Sequence, residues 1–162
     1  MFDSSVDYEG ELAVVIGRSG RNIEPGAAIS HVFGYTIVND VTARQAQRRH
    51  KQWFLGKSLD GFCPMGPSIV TRDEIPDIDK VELRTFVNGE IRQKSSIANL
   101  IFGIPEIVST ISRFMKLVPG DVIATGTPPG VGIGFDPPKF LRPGDDVVVQ
   151  IDGIGELRNP VL

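Results

Sequence analysis

Turn-forming residues recur along this chain at short intervals and limit it to short regular elements. The 162 residues include 18 glycines and 12 prolines, and both residue types mark turns and interrupt helices. The segments between them are rich in β-branched and aromatic residues, which is typical of strands. We therefore expect short strands rather than long helices. A chain of this length usually forms one domain, which we place at residues 1–162.

Two segments carry clear local signals. Asn88-Gly89 separates the strand-like residues 81–87 and 90–94, and this dipeptide favours a tight hairpin. Pro105, which is tolerated in the first turn of a helix, opens a pattern with apolar residues at helical spacing. We interpret that apolar stripe as core packing; it comprises Ile107, Val108, Ile111, Phe114 and Met115.

Charge and cysteine content exclude several classes of protein. The formal net charge of −3 gives no basic footprint for nucleic acid. The apolar stretches are too short to span a membrane, and the chain opens on no signal-peptide pattern. A single cysteine, Cys63, excludes an internal disulfide and fits a reducing compartment. We expect a cytoplasmic protein with no nucleic-acid or membrane partner.

Three acids form the chemically most informative pattern. Glu9 and Glu11 are two residues apart, directly before the apolar residues 12–16, and Asp40 follows the strand-like residues 29–38. If the first run continues a strand, Glu9 and Glu11 project from the same face. Neighbouring carboxylates stay ionised most easily around a cation, and an all-oxygen site selects a hard divalent ion such as Mg²⁺. The alternative is the solvated face of an edge strand.

Asp40 also begins a second polar pattern. In a helical stretch expected over residues 42–52, Asp40, Arg44 and Gln47 fall at positions i, i+4 and i+7 and would share one face. A carboxylate, a guanidinium and an amide would then line one site. The alternative is an N-capping Asp40 with an ion pair to Arg44 on a solvated helix.

Lys57 follows the apolar residues Trp53 and Phe54, so it is a candidate for partial burial. A lysine in such a setting can stabilise an oxyanion, although lysines more often extend along apolar surface with the ammonium in water. The glycine-rich residues 125–132 lack the Gly-Lys-Ser/Thr of a phosphate-binding loop. They form either a plain surface loop or a pocket wall with backbone and Thr127 hydroxyl donors.

The other reactive side chains indicate no site of their own. His31 and His50 are isolated in the sequence, which does not favour zinc. Cys63 is expected to be a buried small apolar residue, and a Cys/His nucleophilic pair lacks support.

Four motifs in order along nearly the whole chain resemble the fumarylacetoacetate hydrolase family. They are DYEGELA at 7–13, GYTIVNDVTAR at 34–44, GKSLD at 56–60 and GDVIATGTP at 120–128. The resemblance is to the family's C-terminal catalytic domain, in the branch of bacterial 2-hydroxyhepta-2,4-diene-1,7-dioate isomerases and 5-oxopent-3-ene-1,2,5-tricarboxylate decarboxylases. It implies an α+β fold that is mainly β, a mixed β-roll with one or two short helices, usually found as a homodimer.

The resemblance also implies roles for individual residues. Family members hold Mg²⁺, or sometimes Mn²⁺ or Ca²⁺, with acids that match Glu9, Glu11 and Asp40. The substrate-side residues of the family match Arg44, Gln47, Lys57 and Thr127, and the first three of these would be catalytic.

Two features depart from the family pattern. Family members commonly read Ala-Arg-Asp after the metal-binding Asp, whereas Gln45 follows Arg44 here. Family members also usually carry an N-terminal segment that in several branches supplies a lid with a water-activating His and Glu. Only eight residues precede Glu9, so we expect that lid to be missing.

The ligand set implied by the resemblance predicts enolate chemistry. A 2-oxo acid or its enol chelates a divalent metal through its carboxylate and 2-oxygen, and the metal stabilises the enolate. The expected substrate is a 2-oxo or 2-hydroxydienoic acid from aromatic catabolism, and the expected reaction is isomerisation or decarboxylation. The alternatives are C–C bond hydrolysis of an acylpyruvate, which needs an activated water, and a non-catalytic scaffold or binding module.

Overall fold

The computed structural model describes residues 4–162, apart from the side chain of His50, and most of its regular structure is β. The strands are β1 (Val6–Asp7), β2 (Gly10–Ile16), β3 (Val32–Asn39), β4 (Thr42–Ala43), β5 (Met65–Thr71), β6 (Glu82–Val87), β7 (Glu90–Ser96), β8 (Val122–Ala124), β9 (Asp146–Ile151) and β10 (Gly155–Pro160). The helices are α1 (Pro25–Ala28), α2 (Arg44–His50), α3 (Trp53–Lys57) and α4 (Ile104–Phe114), with short 3₁₀ turns between elements.

The longer strands form two antiparallel four-stranded sheets. One sheet has the order β5-β3-β2-β8, the other has the order β10-β9-β6-β7, and β1 pairs with β4 in a separate two-residue ladder. All seven residues of β2 are buried, because β3 and β8 flank the strand and the second sheet packs across it. The expected α+β fold, mainly β, is confirmed, although the described residues form four α-helices rather than one or two.

The main hydrophobic core lies between the two sheets. Apolar side chains from β2, β3, β6 and β9 meet there, and Ile104 and Val108 of α4 pack against the same cluster. A smaller second cluster joins the β1 end of the molecule to β6 and β9; its buried members are Val6, Tyr8, Val41, Val87, Leu141 and Val147. The start of β2 therefore lies between the main core and this second cluster.

The predicted hairpin is confirmed. Strands β6 and β7 pair in antiparallel register around Asn88-Gly89. Both turn residues have positive φ, 52° for Asn88 and 78° for Gly89, which is the requirement of a type I′ turn. Local backbone chemistry therefore explains this part of the sheet.

The apolar stripe of α4 is only partly buried. Val108 is fully buried, and Ile107 and Ile111 pack against the core. The prediction was wrong for Phe114 and Met115, whose side chains are 78% and 58% exposed. The helix ends at Phe114, and Met115 already has an extended backbone, so the last turn no longer follows the core. In the part of the chain that is described, α4 is the longest helix, and no helix has the length and apolar character needed to cross a membrane.

Candidate metal centre

Strand pairing brings the three predicted acids together. Strands β2 and β3 are antiparallel with Gly10 opposite Asn39, and the Asp40 backbone N–H donates to the Glu9 carbonyl over 2.8 Å. This register places Asp40 beside Glu9, while Glu11 projects from the same face of β2 as Glu9. One carboxylate oxygen from each residue lies within 4.8 Å of the others.

The cluster is buried rather than solvated. Glu9 and Glu11 are 8% and 3% exposed, and Asp40 is half-buried. The alternative of a wet edge strand is therefore wrong, because β2 is an internal strand. Three carboxylates that share a buried site need positive charge or protons to offset their repulsion and lost hydration.

Lys57, at the end of α3, supplies one of these positive charges. Its Nζ donates to Glu9 Oε2 over 2.9 Å, to Thr42 Oγ1 over 3.1 Å and to the Asp40 carboxylate. Burial alone would lower the pKa of Lys57, but the hydrogen bonds to Asp40 and Glu9 outweigh it, so the pKa is raised above its ordinary value. The ammonium therefore stays charged between two of the candidate metal ligands.

Arg44, the first residue of α2, supplies the second positive charge. Its Nη2 lies 2.6 Å from Glu9 Oε1, and its Nε donates to Asp7 Oδ2 over 3.0 Å. The predicted stripe of Asp40, Arg44 and Gln47 along one helix is wrong, as is the N-capping alternative. Pairing of β4 with β1 keeps the chain extended through Ala43, so α2 begins only at Arg44 and Asp40 lies outside it.

Glu11 is the acid with the clearest protonation shift. Burial, together with the neighbouring Asp40 and Glu9 carboxylates, raises the pKa of Glu11 to about 7. The Gly126 backbone N–H, which donates to Glu11 Oε2 over 2.7 Å, acts in the opposite direction. Without a bound cation, Glu11 is therefore partly protonated near neutral pH.

Two further predicted residues lie around the cluster rather than in it. Gln47 is half-buried where α2 meets α3, so close to Gly56 that a Cβ on this glycine would lie 2.8 Å from the Gln47 Cβ. Within residues 4–162, no hydrogen bond or ion pair joins Gln47 to the carboxylates. Thr127 Oγ1 donates to the Gly10 carbonyl over 3.0 Å and accepts from Gln93 Nε2 over 2.7 Å. Its hydroxyl ties the loop to β2 instead of pointing a free donor into a pocket.

Cys63 is exposed, so the expectation of a buried residue is wrong. Its φ of +58° marks a turn after α3. Partial burial of the thiol raises the pKa of Cys63, as do the Asp40 and Glu11 carboxylates. These effects disfavour a thiolate, and the Cys/His nucleophile gains no support.

Sequence reasoning missed several residues that hold the cluster in place. Asn39 Oδ1 accepts the Glu9 backbone N–H over 2.9 Å, and Gln93 Oε1 accepts the Gly10 N–H over 3.1 Å. Asp7 pairs with Arg44. A signal for Asp7 was available, since Asp7, Glu9 and Glu11 occupy alternate positions and project from one side of an extended chain.

Comparison with known proteins identifies the family. Residues 2–162 match the family model described as fumarylacetoacetate (FAA) hydrolase, C-terminal. The chain belongs to this family. A curated relative in the family, oxaloacetate tautomerase YisK of Bacillus subtilis, is 58% identical over 158 residues, which is 98% of this chain and 52% of the relative. The chain thus spans about half the length of the curated relatives it matches.

Solved structures of family members share the fold closely. A fumarylacetoacetate hydrolase from Exiguobacterium antarcticum is 53% identical with a TM-score of 0.95, and the match includes 98% of this chain and 57% of the hydrolase chain. A 2-hydroxyhepta-2,4-diene-1,7-dioate isomerase from Mycobacterium marinum is 46% identical with a TM-score of 0.90, covering 99% of this chain and 60% of its own. A fumarylpyruvate hydrolase from Pseudomonas aeruginosa, in complex with Mn²⁺ and pyruvate, is 35% identical with a TM-score of 0.90, covering 99% of this chain and 67% of its own.

Proposed function

We propose that this chain is the metal-binding catalytic domain of an enzyme that interconverts the keto and enol forms of a 2-oxo acid. The observation that carries the proposal is the convergence of Glu9, Glu11 and Asp40 within 4.8 Å, beside the cations Lys57 and Arg44. Named activities of the relatives support it, since they include a tautomerase, an isomerase and hydrolases.

The three acids fit a divalent cation. Mg²⁺ and similar hard ions take oxygen ligands at about 2.0–2.1 Å, so ligand oxygens on opposite sides of Mg²⁺ lie about 4.2 Å apart. The three oxygens lie within 4.8 Å of one another, and a bound ion would draw them closer, since adjacent ligands of an octahedral Mg²⁺ are about 3 Å apart. The Lys57 ammonium bridges Glu9 and Asp40, so positive charge between these acids is already favourable, which supports the proposal. Mg²⁺ is our first candidate, and Mn²⁺ is supported by the complex of the fumarylpyruvate hydrolase.

A cation held by these acids would act as a Lewis acid toward the carboxylate and 2-oxygen of the substrate. The chain's own residues contribute orientation and charge. Arg44 holds one oxygen of Glu9, which leaves the other oxygen for the cation once Lys57 has withdrawn. The Lys57 ammonium would then be available to offset negative charge that develops on the substrate oxygen, and positive charge held near that oxygen lowers the barrier.

Titration of oxalate, a mimic of the enolate of pyruvate, into metal-free protein tests the site. We expect heat of binding only when Mg²⁺ or Mn²⁺ is present. Loss of the ultraviolet absorbance of enol-oxaloacetate, with and without metal, then tests turnover. Binding of oxalate without turnover of any 2-oxo acid would contradict the enzyme proposal and favour the scaffold alternative.

Hydrolysis of a C–C bond is the second candidate. The observation that favours it is the pyruvate bound to the fumarylpyruvate hydrolase, whose fold this chain shares at a TM-score of 0.90. Hydrolysis also needs a base that activates water. Release of pyruvate from an acylpyruvate, measured with a coupled dehydrogenase, separates the two reactions, because tautomerisation releases no second product.

The remaining expectations stay predictions. Decarboxylation of a β-oxo acid uses the same enolate and belongs in the substrate panel. A role in aromatic catabolism and the homodimer come from the resemblance. Light scattering of the purified chain measures the oligomeric state directly.

A further inference from the structure

Asp7 is a buried carboxylate with an unusually complete set of donors. It is 0% exposed. Its Oδ1 accepts the backbone N–H of Tyr8 over 3.0 Å and of Gly132 over 2.6 Å. Its Oδ2 accepts the N–H of Ile133 over 3.0 Å and the Nε–H of Arg44 over 3.0 Å. A buried charge is tolerated only when it is paired and hydrogen-bonded, and Asp7 meets both conditions.

The arginine that Asp7 holds also contacts a candidate metal ligand. Arg44 Nη2 lies 2.9 Å from Asp7 Oδ2 and 2.6 Å from Glu9 Oε1. The side chains of Arg44, Asp7 and Glu9 are all nearly inaccessible to solvent, so Arg44 has little freedom to leave these two contacts. The orientation of the Glu9 carboxylate is therefore set by Arg44, and that of Arg44 by Asp7.

The loop that follows β8 contacts the same group of residues at two points. Gly126 N–H donates directly to Glu11 Oε2 over 2.7 Å, whereas Gly132 and Ile133 donate to Asp7. One loop thereby constrains Glu11 directly and Glu9 through Asp7 and Arg44. The approach at Gly132 is so close that a Cβ there would lie 2.6 Å from Asp7 Oδ1.

We infer that Asp7 is a positioning residue that links the loop at Gly132 to the metal centre by holding Arg44 against Glu9. This inference rests on the proposed function for its metal, but the contacts themselves do not. Residues that orient metal ligands from outside typically change metal affinity or activity by about 10–100-fold when they are removed. Asp7 is not one of the three candidate metal ligands, and its effect on the centre would run through Arg44.

The test substitutes Asp7→Asn, which keeps the size of the side chain, removes its charge and turns one acceptor into a donor. We expect the Mn²⁺ dissociation constant, measured by calorimetry, to rise by about tenfold or more. Turnover should return toward the wild-type value at saturating Mn²⁺, because the defect lies in metal binding. The matched control is Asp145→Asn, since Asp145 also accepts a backbone N–H, from Arg142, but in a turn outside the centre.

The Arg44 Nε–H resonance gives a readout that needs no metal. We expect a slowly exchanging signal in the wild type that is lost in Asp7→Asn. Gly132→Ala is the second variant, because its Cβ would lie 2.4 Å from the Lys139 carbonyl oxygen and 2.6 Å from Asp7 Oδ1. It would therefore move the loop and Asp7 apart without removing an ionisable group, and we expect it to weaken Mn²⁺ binding too. It carries the test if Asp7→Asn does not fold.

The outcomes separate the two proposals. Wild-type protein that binds no Mn²⁺ contradicts the proposed function. In that case the Arg44 Nε–H signal alone tests whether Asp7 holds Arg44 in place. Wild-type binding together with unchanged Mn²⁺ affinity in folded Asp7→Asn, or in Gly132→Ala if Asp7→Asn does not fold, overturns the inference about Asp7 alone. A retained Arg44 signal in Asp7→Asn overturns it as well.

Discussion

The ammonium of Lys57 lies against the carboxylate of Asp40, between two acids that are placed to bind a divalent cation. Lys57 therefore offsets the charge of the acids, and a metal ion bound to all three of them would have to displace it. On the proposed function, the lysine would be both a competitor of the metal and a source of positive charge for the substrate.

Replacing Lys57 should separate these two roles. We expect Lys57→Met to bind Mg²⁺ or Mn²⁺ about tenfold more tightly, because the competing charge is gone, an effect that partial solvent exposure keeps modest. Turnover should fall sharply in the same variant. Calorimetry and enol kinetics measure the two effects, with Lys80→Met as the control because Lys80 is exposed and pairs with Asp77 at the surface. Weaker metal binding in Lys57→Met would show that the lysine supports the metal instead of competing with it.

Removing the charge of Glu11 should abolish the metal site. Glu11→Gln keeps the shape of the side chain but removes a hard anionic ligand, so we expect metal affinity to fall by orders of magnitude. Glu156→Gln, at an exposed carboxylate of β10, is the matched control. Equal Mg²⁺ affinity in Glu11→Gln and wild type would refute the ligand set.

The raised pKa of Glu11 predicts an unusual pH dependence of stability. Its pKa is about 7 in the folded protein against 4.5 for the free side chain, so the folded state binds the extra proton between these values. The free energy of unfolding of metal-free protein should therefore fall as pH rises through this window, by on the order of 3 kcal/mol from this group. Denaturant unfolding at several pH values measures it. If the free energy of unfolding of Glu11→Gln falls with pH as much as that of the wild type, the pH dependence belongs to other groups.

Cys63 offers a reporter of metal binding, since it is the only cysteine and is exposed. The carboxylates of Asp40 and Glu11 add to the effect of burial in raising the pKa of its thiol. A divalent cation neutralises these acids, so the pKa should fall and the thiolate react faster. We expect an aromatic disulfide reagent to modify Cys63 faster with Mg²⁺ than without it. The acceleration should be absent in Glu11→Gln, and its persistence there would point to metal bound elsewhere.

Local signals explain what could be predicted from the sequence. Asn88-Gly89 specifies its hairpin by its own backbone preference. Alternation along a strand places Glu9 and Glu11 on one face whatever the rest of the chain does. The sequence also groups Asp40 with these two acids as a candidate ligand, and the pairing of β2 with β3 brings it beside Glu9.

The errors arose where distant segments decide the local conformation. The spacing of Asp40 and Arg44 is that of one helical face, but pairing of β4 with β1 keeps the chain extended between them. The ion pairs consequently run from Asp40 to Lys57 and from Arg44 to Asp7 and Glu9. No sequence period relates these partners, because they meet only after the sheet and the two short helices have formed.

The full burial of β2 has a kinetic consequence. An internal strand paired on both sides opens only when most of the molecule unfolds, so its amide hydrogens should exchange with solvent at the slow rate of global opening. Helix α3, by contrast, exposes the large side chains of Trp53 and Phe54, so we expect it to open more readily than β2. The ion would then enter and leave on the side of α3, at a rate set by the release of Lys57, while the strand that carries Glu11 stays closed.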